Sequence, residues 1–112
     1  MKHILLIATG GTIAPRHTPE GLAPQITPQE LLSYVPDAAS LCQIDTVQPL
    51  NLDSTNVAPE HWLLLAKLIE EQYDRYDGFV ICHGTDTLAY TAAALSYLIQ
   101  HTRKPIVLTG AQ

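Results

Sequence analysis

Uninterrupted apolar runs occur at three places in the chain, and each run ends in a turn of small polar residues. Residues 3–8, 79–82 and 105–108 read HILLIA, FVIC and PIVL, the pattern of strands that are buried on both faces of a sheet. Residues 44–50 alternate between apolar and polar positions and are also strand-like. The pattern therefore predicts four strands.

Two segments between these strands carry helical patterns. From Pro59 to Tyr73, apolar side chains recur every three or four residues, which predicts an amphipathic helix. Residues 88–99 are rich in alanine, leucine and tyrosine and predict a helix that packs closely on the sheet. Five of the eight prolines lie between residues 15 and 36, where we expect a loop or irregular hairpin with one short helical turn at 29–34.

Strands that alternate with helices predict an α/β fold with a parallel, Rossmann-like sheet and flanking helices. In such sheets, ligands bind at the carboxyl ends of the strands. Four polar segments follow the predicted strands here: TGGT at 9–12, NLDSTN at 51–56, HGTDT at 83–87 and TGAQ at 109–112. We therefore expect the functional residues to gather at this edge of the sheet.

Composition and charge argue against some classes of binding partner. The 112 residues suffice for one domain. Eleven acidic residues against six basic ones give a formal charge of −5, which opposes binding to nucleic acid or to an anionic membrane. Only 15% of the residues are charged, against about 25% in an average soluble domain. We therefore expect surfaces that are buried in a larger protein or assembly, with no nucleic-acid or membrane partner.

The cysteines and histidines indicate neither a metal site nor a cofactor. Cys42 and Cys82 form no spaced metal motif and no disulfide framework, so we expect two reduced thiols. The five histidines are scattered without ligand spacing. The apolar run at 4–8 is too short for a signal peptide or a membrane span, which indicates the cytoplasm.

Two threonine-rich turns are candidates for chemistry. Gly10 and Gly11 let the chain turn sharply before Thr12. This segment is either a strand-ending turn with an incidental threonine or a device that presents a hydroxyl nucleophile. It is not a dinucleotide-binding fingerprint, because the third spaced glycine is missing.

The second turn contains Thr85 and Asp86 at the predicted start of a helix, where free amide groups favour anions. Either residue is an ordinary helix cap. Alternatively, the hydroxyls of Thr12 and Thr85 face the two sides of a small substrate, and Asp86 pairs with its ammonium group. Ser54 and Thr55 likewise belong either to a capping segment or to a group of donors for a carboxylate.

Taken together, TGGTIA at 9–14 and HGTDTLAYTAAAL at 83–95 closely resemble the two signature segments of the bacterial-type L-asparaginases. LDSTNVAPEHW at 52–62 and YDGFVICHGTDT at 76–87 are most similar to the cytoplasmic, type I branch of that family. The resemblance covers essentially all 112 residues and implies the amino-terminal asparaginase domain. It also implies an amidohydrolase in which Thr12 attacks the side-chain amide of asparagine and Thr85 belongs to the second catalytic group.

The resemblance further implies which residues bind the substrate. Asp86 would hold its α-ammonium group, and Ser54 with Thr55 would hold its α-carboxylate. Gly11 would line the substrate site, and Ala111 would lie near the reacting amide. Some secreted members have a glutamine where this chain has Thr55, so selectivity for asparagine over glutamine stays open.

Family members are much longer than this chain and carry a second domain with a catalytic lysine. Lys2, Lys67 and Lys104 are all expected far from Thr85. We therefore expect residues 1–112 to be a truncated amino-terminal domain, inactive by itself, with the carboxy-terminal domain absent. The resemblance implies that the full-length protein is a homo-oligomer, a dimer or tetramer.

Two alternatives remain open. The related amidotransferase subunit, which releases ammonia for transfer-RNA-linked amidation, uses the same threonine motifs but usually carries an extra amino-terminal domain. A non-catalytic module that binds a small ligand would also be compatible with the missing lysine.

Overall fold

The computed structural model describes residues 1–10, 16–18, 21–23, 32–33, 35–52 and 54–110. Its main sheet has four parallel strands: β1 (Lys2–Ala8), β4 (Cys42–Val47), β5 (Gly78–Cys82) and β6 (Ile106–Thr109). Their order across the sheet is β4-β1-β5-β6. The predicted α/β fold and its four strands are confirmed, with strand ends that differ from the predicted ones by at most three residues.

The register of the sheet brings the carboxyl ends of three strands side by side. Ala8 of β1 pairs with Cys82 of β5, and Cys82 pairs in turn with Thr109 of β6. The polar segments that follow these strands therefore begin at one edge of the sheet.

Helices that lie wholly within the described residues are α1 (Ala38–Leu41), α2 (Pro59–Gln72) and α3 (Leu88–Leu98). The stripe predicted on α2 is confirmed, because Leu65, Ala66 and Ile69 are buried. They pack in one core with Leu5 and Ile7 of β1, Phe79 and Ile81 of β5 and Leu95 of α3. Burial of this apolar surface is the main force that holds the helices on the sheet.

The starts of α2 and α3 correct the capping interpretations. Helix α2 is preceded by Ala58, whose backbone N–H donates to Nδ1 of His61 at 2.9 Å, whereas Ser54–Asn56 form a separate 3₁₀ turn. The cap position of α3 is Thr87. Neither Thr85 nor Asp86 is therefore the helix cap, and residues 54–56 do not cap α2.

The proline-rich segment contains a short antiparallel hairpin of β2 (Arg16–Thr18) and β3 (Gly21–Ala23), in agreement with the predicted irregular hairpin. Of the helical turn expected at 29–34, residues 32–33 are described and are helical, and the rest lies outside the described residues. Cys42 and Cys82 are both free thiols, as predicted. Among the helices described, none has the length and apolar character that crossing a membrane requires.

Candidate active site

The end of β1 is fixed to the end of β5 by two hydrogen bonds. The backbone N–H and the side-chain hydroxyl of Thr9 both donate to the carbonyl oxygen of Cys82, at 3.1 and 2.9 Å. Thr9 is buried, and its hydroxyl is satisfied inside the protein. Thr9 therefore fixes the start of the segment that follows β1, and its hydroxyl is already hydrogen-bonded.

Gly10 brings that chain against the segment that follows β4. Its φ is +86°, and a β-carbon built on it would lie 2.7 Å from Oδ1 of Asn51 and 2.8 Å from the backbone nitrogen of Leu52. The N–H of Leu52 donates to the carbonyl of Thr9 at 2.8 Å. The close approach requires glycine at position 10, as the sharp turn in the sequence suggested.

The segments that follow β5 and β6 contact each other in the same way. The N–H of His83 donates to the carbonyl of Thr109 at 2.9 Å. A β-carbon on Gly110 would lie 2.5 Å from the carbonyl oxygen of His83 and 3.3 Å from the methyl group of Thr85. Together with the contacts of Thr9 and Gly10, these contacts confirm that the polar segments meet at one edge in their described residues.

The predicted site residues fall into two groups. Thr85 is half-buried and Asp86 is exposed in the turn before α3, while Thr55 is exposed in the 3₁₀ turn that Ser54 begins. Gly11, Thr12 and Ala111 lie outside the described residues. The convergence of Thr12 with Thr85 therefore stays a prediction, whereas the strand ends that precede them are joined by hydrogen bonds.

A buried hydrogen-bond network behind the turn was not predicted from the sequence. Nε2 of His83 lies 2.9 Å from the hydroxyl of Thr91, which accepts a bond from Nε1 of Trp62 at 2.8 Å. Nδ1 of His83 lies 2.6 Å from the carbonyl oxygen of Gly84. A lone threonine on the buried side of an alanine-rich helix was the available signal, since buried hydroxyls need a partner.

The lysines lie away from this edge of the sheet. Lys104 precedes β6, where its ammonium group bonds to the carbonyl of Tyr73 and lies 4.5 Å from the centre of that ring. Lys67 is exposed beside Glu71 on α2, and Lys2 begins β1 at the opposite end of the sheet. Within the described ranges, no group of three or more histidine, cysteine or acidic side chains is placed to hold a metal ion.

The matches found by comparison with known proteins extend over essentially the whole chain. The family model for the N-terminal part of asparaginase matches residues 3–112. The L-asparaginase of Thermococcus kodakarensis is 43% identical over 112 residues, which are 96% of this chain and 33% of that protein. A glutamyl-tRNA(Gln) amidotransferase subunit from Archaeoglobus fulgidus is 38% identical over 114 residues, covering 100% of this chain and 27% of its own length.

The fold agrees with a solved structure of the same family. The crystal structure of a probable cytoplasmic L-asparaginase from Campylobacter jejuni matches with a TM-score of 0.83 and 38% identity, over 96% of this chain and 32% of that one. The present chain thus spans about a third or less of the length of these relatives. Sequence and fold together show that it belongs to the asparaginase family and corresponds to the N-terminal domain.

Proposed function

We propose that these residues form the part of an L-asparaginase that provides the nucleophile and binds the charged groups of the substrate. The observation that carries the proposal is the joined carboxyl edge: Thr9 bonds to Cys82, and Gly110 contacts both His83 and Thr85. Thr12 follows Thr9 by three residues, so the two candidate hydroxyls belong to turns whose bases are in contact. The reaction converts L-asparagine and water into L-aspartate and ammonia.

In this mechanism, the hydroxyl oxygen of Thr12 attacks the side-chain amide carbon of asparagine. The C–O bond forms, the resulting oxyanion is stabilised by main-chain N–H groups at the sheet edge, and the C–N bond then breaks to release ammonia. Water hydrolyses the threonine ester, which returns the hydroxyl of Thr12 and releases aspartate. Thr85 belongs to the second catalytic group, which transfers the protons.

Substrate binding uses the polar turns around this centre. The exposed carboxylate of Asp86 pairs with the α-ammonium group, and the hydroxyls of Ser54 and Thr55 donate to the α-carboxylate. Gly11 leaves room for the substrate, and Ala111 lies beside the amide. The exposure of Asp86 and Thr55 supports this assignment, because a dissolved amino acid can reach both side chains.

The positions of the three lysines suggest that these residues lack a general base beside Thr85. General-base assistance contributes about 100- to 10,000-fold to a rate, and Lys2, Lys67 and Lys104 all lie away from Thr85. The relatives are about three times as long as this chain. We therefore propose that the base comes from outside these residues and that residues 1–112 alone are a partial domain with very low or no activity.

We further propose a cytoplasmic homo-oligomer, a dimer or tetramer, for the full-length enzyme. The outer face of α3 supports association, because Tyr90 and Tyr97 are 68% and 78% exposed on a helix with no charged residue. Residues seven positions apart lie on the same face of a helix, and contiguous exposed apolar groups mark contacts with other protein surfaces. The probable cytoplasmic L-asparaginase from Campylobacter jejuni supports the compartment.

The amidotransferase match supports a second candidate function. The protein from Archaeoglobus is 38% identical over all of the present chain. By this comparison, the same site would release ammonia for amidation on transfer RNA. A non-catalytic module that binds a small amino acid is the third candidate. The three candidate functions can be distinguished by what the site does with free asparagine.

The first experiment measures ammonia release from L-asparagine and L-glutamine by the full product of the reading frame that contains these residues. We expect release from asparagine that Thr12→Ala abolishes. Release only in the presence of charged transfer RNA would favour the amidotransferase, and binding without release would favour the binding module. Ammonia release by the 112-residue chain alone would contradict the proposed partial domain.

The second experiment measures L-aspartate binding to the chain by calorimetry. Asp86→Asn should weaken binding by about 10- to 100-fold, the usual effect of losing a charge-assisted hydrogen bond. Asp74→Asn is the matched control, because it removes the same charge from an exposed position in the turn after α2. Equal binding by the two variants would remove the ammonium-binding role of Asp86.

A further inference from the structure

His83 is a buried ionisable side chain that the proposed reaction does not use. It has no exposed surface, and neither does its partner Thr91. A polar group in such a position is costly unless each of its atoms is hydrogen-bonded. His83 meets this requirement on both ring nitrogens, one toward Gly84 and one toward Thr91.

The partners define where the protons lie. The carbonyl oxygen of Gly84 can only accept, so Nδ1 of His83 carries a proton and donates to it at 2.6 Å. The indole nitrogen of Trp62 can only donate, so the hydroxyl of Thr91 accepts from it at 2.8 Å. Because Thr91 accepts from Trp62, its hydroxyl can donate to Nε2 of His83, 2.9 Å away. These partners fit the tautomer of the ring that carries its proton on Nδ1.

This arrangement fixes the peptide plane between Gly84 and Thr85. Every peptide bond in the described residues is trans, so a carbonyl and the following N–H point in opposite directions. Because the carbonyl of Gly84 is held toward the imidazole, the N–H of Thr85 points away from it. Rotation of this peptide would break the bond to Nδ1 and leave a buried donor unpaired.

We infer that His83 is a positioning residue that sets the orientation of the Gly84–Thr85 peptide. Trp62 on α2 and Thr91 on α3 hold its ring, so the packing of two helices determines how the turn presents Thr85 and Asp86. The inference deepens the proposed function and depends on it only where Thr85 and Asp86 are said to contact the substrate.

A nuclear magnetic resonance measurement on the full chain labelled with ¹⁵N tests the proton positions directly. At neutral pH, we expect the proton of the His83 ring on Nδ1 and an unprotonated Nε2. A ring protonated on Nε2 alone, or on both nitrogens, would overturn the inference. The result does not depend on substrate, so it separates a failure of this inference from a failure of the proposed function.

The matched variants Thr91→Ser and Thr91→Val test the consequence for the turn. Serine keeps the hydroxyl, whereas valine has nearly the same shape without it. We expect Thr91→Val to shift the amide resonance of Thr85 and to weaken L-aspartate binding about tenfold, the effect of about one lost hydrogen bond. Thr91→Ser should restore both values. Equal Thr85 resonances in the two folded variants would show that the hydroxyl only fills space.

His83→Asn and His83→Leu give a second pair if Thr91→Val does not fold. The asparagine amide can donate to the carbonyl of Gly84 in place of Nδ1, and leucine cannot. We expect the Thr85 resonance to be closer to the wild-type value in His83→Asn than in His83→Leu, and the reverse order would contradict the inference. If the wild-type chain itself does not bind aspartate, the proposed function fails, and the resonances still decide the role of His83.

Discussion

Gly10 approaches Asn51 so closely that a β-carbon at position 10 would lie 2.7 Å from the side-chain oxygen of Asn51. The contact joins the turn after β1 to the segment after β4. Because the backbone nitrogen of Leu52 would also be too close, at 2.8 Å, movement of one flexible side chain cannot relieve the overlap. The edge that carries the candidate site therefore depends on a glycine.

Gly10→Ala should destabilise the protein. A non-glycine residue at φ of +86° costs about 1–3 kcal/mol in backbone strain, to which the overlap with Leu52 is added. Urea unfolding measures the loss. Gly78→Ala is the control, since its β-carbon would meet side-chain atoms of Pro105 and Ile4 at 3.1 and 3.2 Å. A larger loss for Gly78→Ala would contradict the prediction.

Leu65 and Leu64 are neighbours on α2 with opposite environments. Leu65 is fully buried and Leu64 is 41% exposed. Leu65→Ala should lower the free energy of unfolding by about 2–5 kcal/mol, because it removes buried methyl groups and leaves a cavity. Leu64→Ala changes the same atoms at the surface and should cost much less. Similar losses in urea unfolding would mean that α2 is rotated relative to the described packing.

The two thiols should differ in reactivity. Burial raises the pKa of the Cys82 thiol to about 11, so only about one molecule in a thousand carries the thiolate at pH 8. Cys42 is only half-buried, at the start of β4. A disulfide reagent at pH 8 should therefore label one thiol quickly and the second only after unfolding. Cys42→Ser should remove the fast phase, and a remaining fast phase would contradict the burial of Cys82.

Acid stability should depend on Asp45, in the middle of β4. Hydrogen bonds at 2.8 Å from the hydroxyl of Tyr76 and from Nε2 of His3 lower the pKa of this carboxyl below its ordinary value of 3.8. The folded state therefore binds protons less readily than the unfolded state. Stability from Asp45 is present above the ordinary value and is lost as the pH falls through the lowered one.

Asp45→Asn should consequently be less stable than the wild type at pH 5.5, and the difference should shrink toward pH 3. Tyr76→Phe removes the first donor and should change the pH dependence in the same direction. Urea unfolding at the two pH values measures both effects. A constant difference between Asp45→Asn and wild type across this range would show that the carboxyl does not titrate differently on folding.

The fold was largely predictable because the pattern of apolar residues along the chain indicates which segments are buried. Residues 3–8 and 79–82 are apolar at nearly every position, and the structure buries β1 and β5 in the middle of the sheet. Helix ends were harder to predict. The cap of α2 depends on Nδ1 of His61, a side chain that a search for serine, threonine or aspartate at the cap position does not find.

The edge of the site was predictable, since every parallel strand ends on the same side and the polar segments follow strands. The hydrogen-bond network of His83, Thr91 and Trp62 was not predictable, because it requires side chains from different elements. Trp62 and Thr91 are 29 residues apart, and nothing in their separate segments indicates that they meet. Such contacts follow from the packing of α2 and α3, which periodicity alone does not determine.

The position of β1 between β4 and β5 has a consequence for synthesis. The first strand to leave the ribosome is the one that needs two later neighbours, and its second neighbour ends only at Cys82. At roughly 5–20 residues per second, about 4–15 s separate Ala8 from Cys82 during translation. For that time the aliphatic HILLIA segment has no complete sheet to join, so an apolar strand of the nascent chain stays exposed to aggregation.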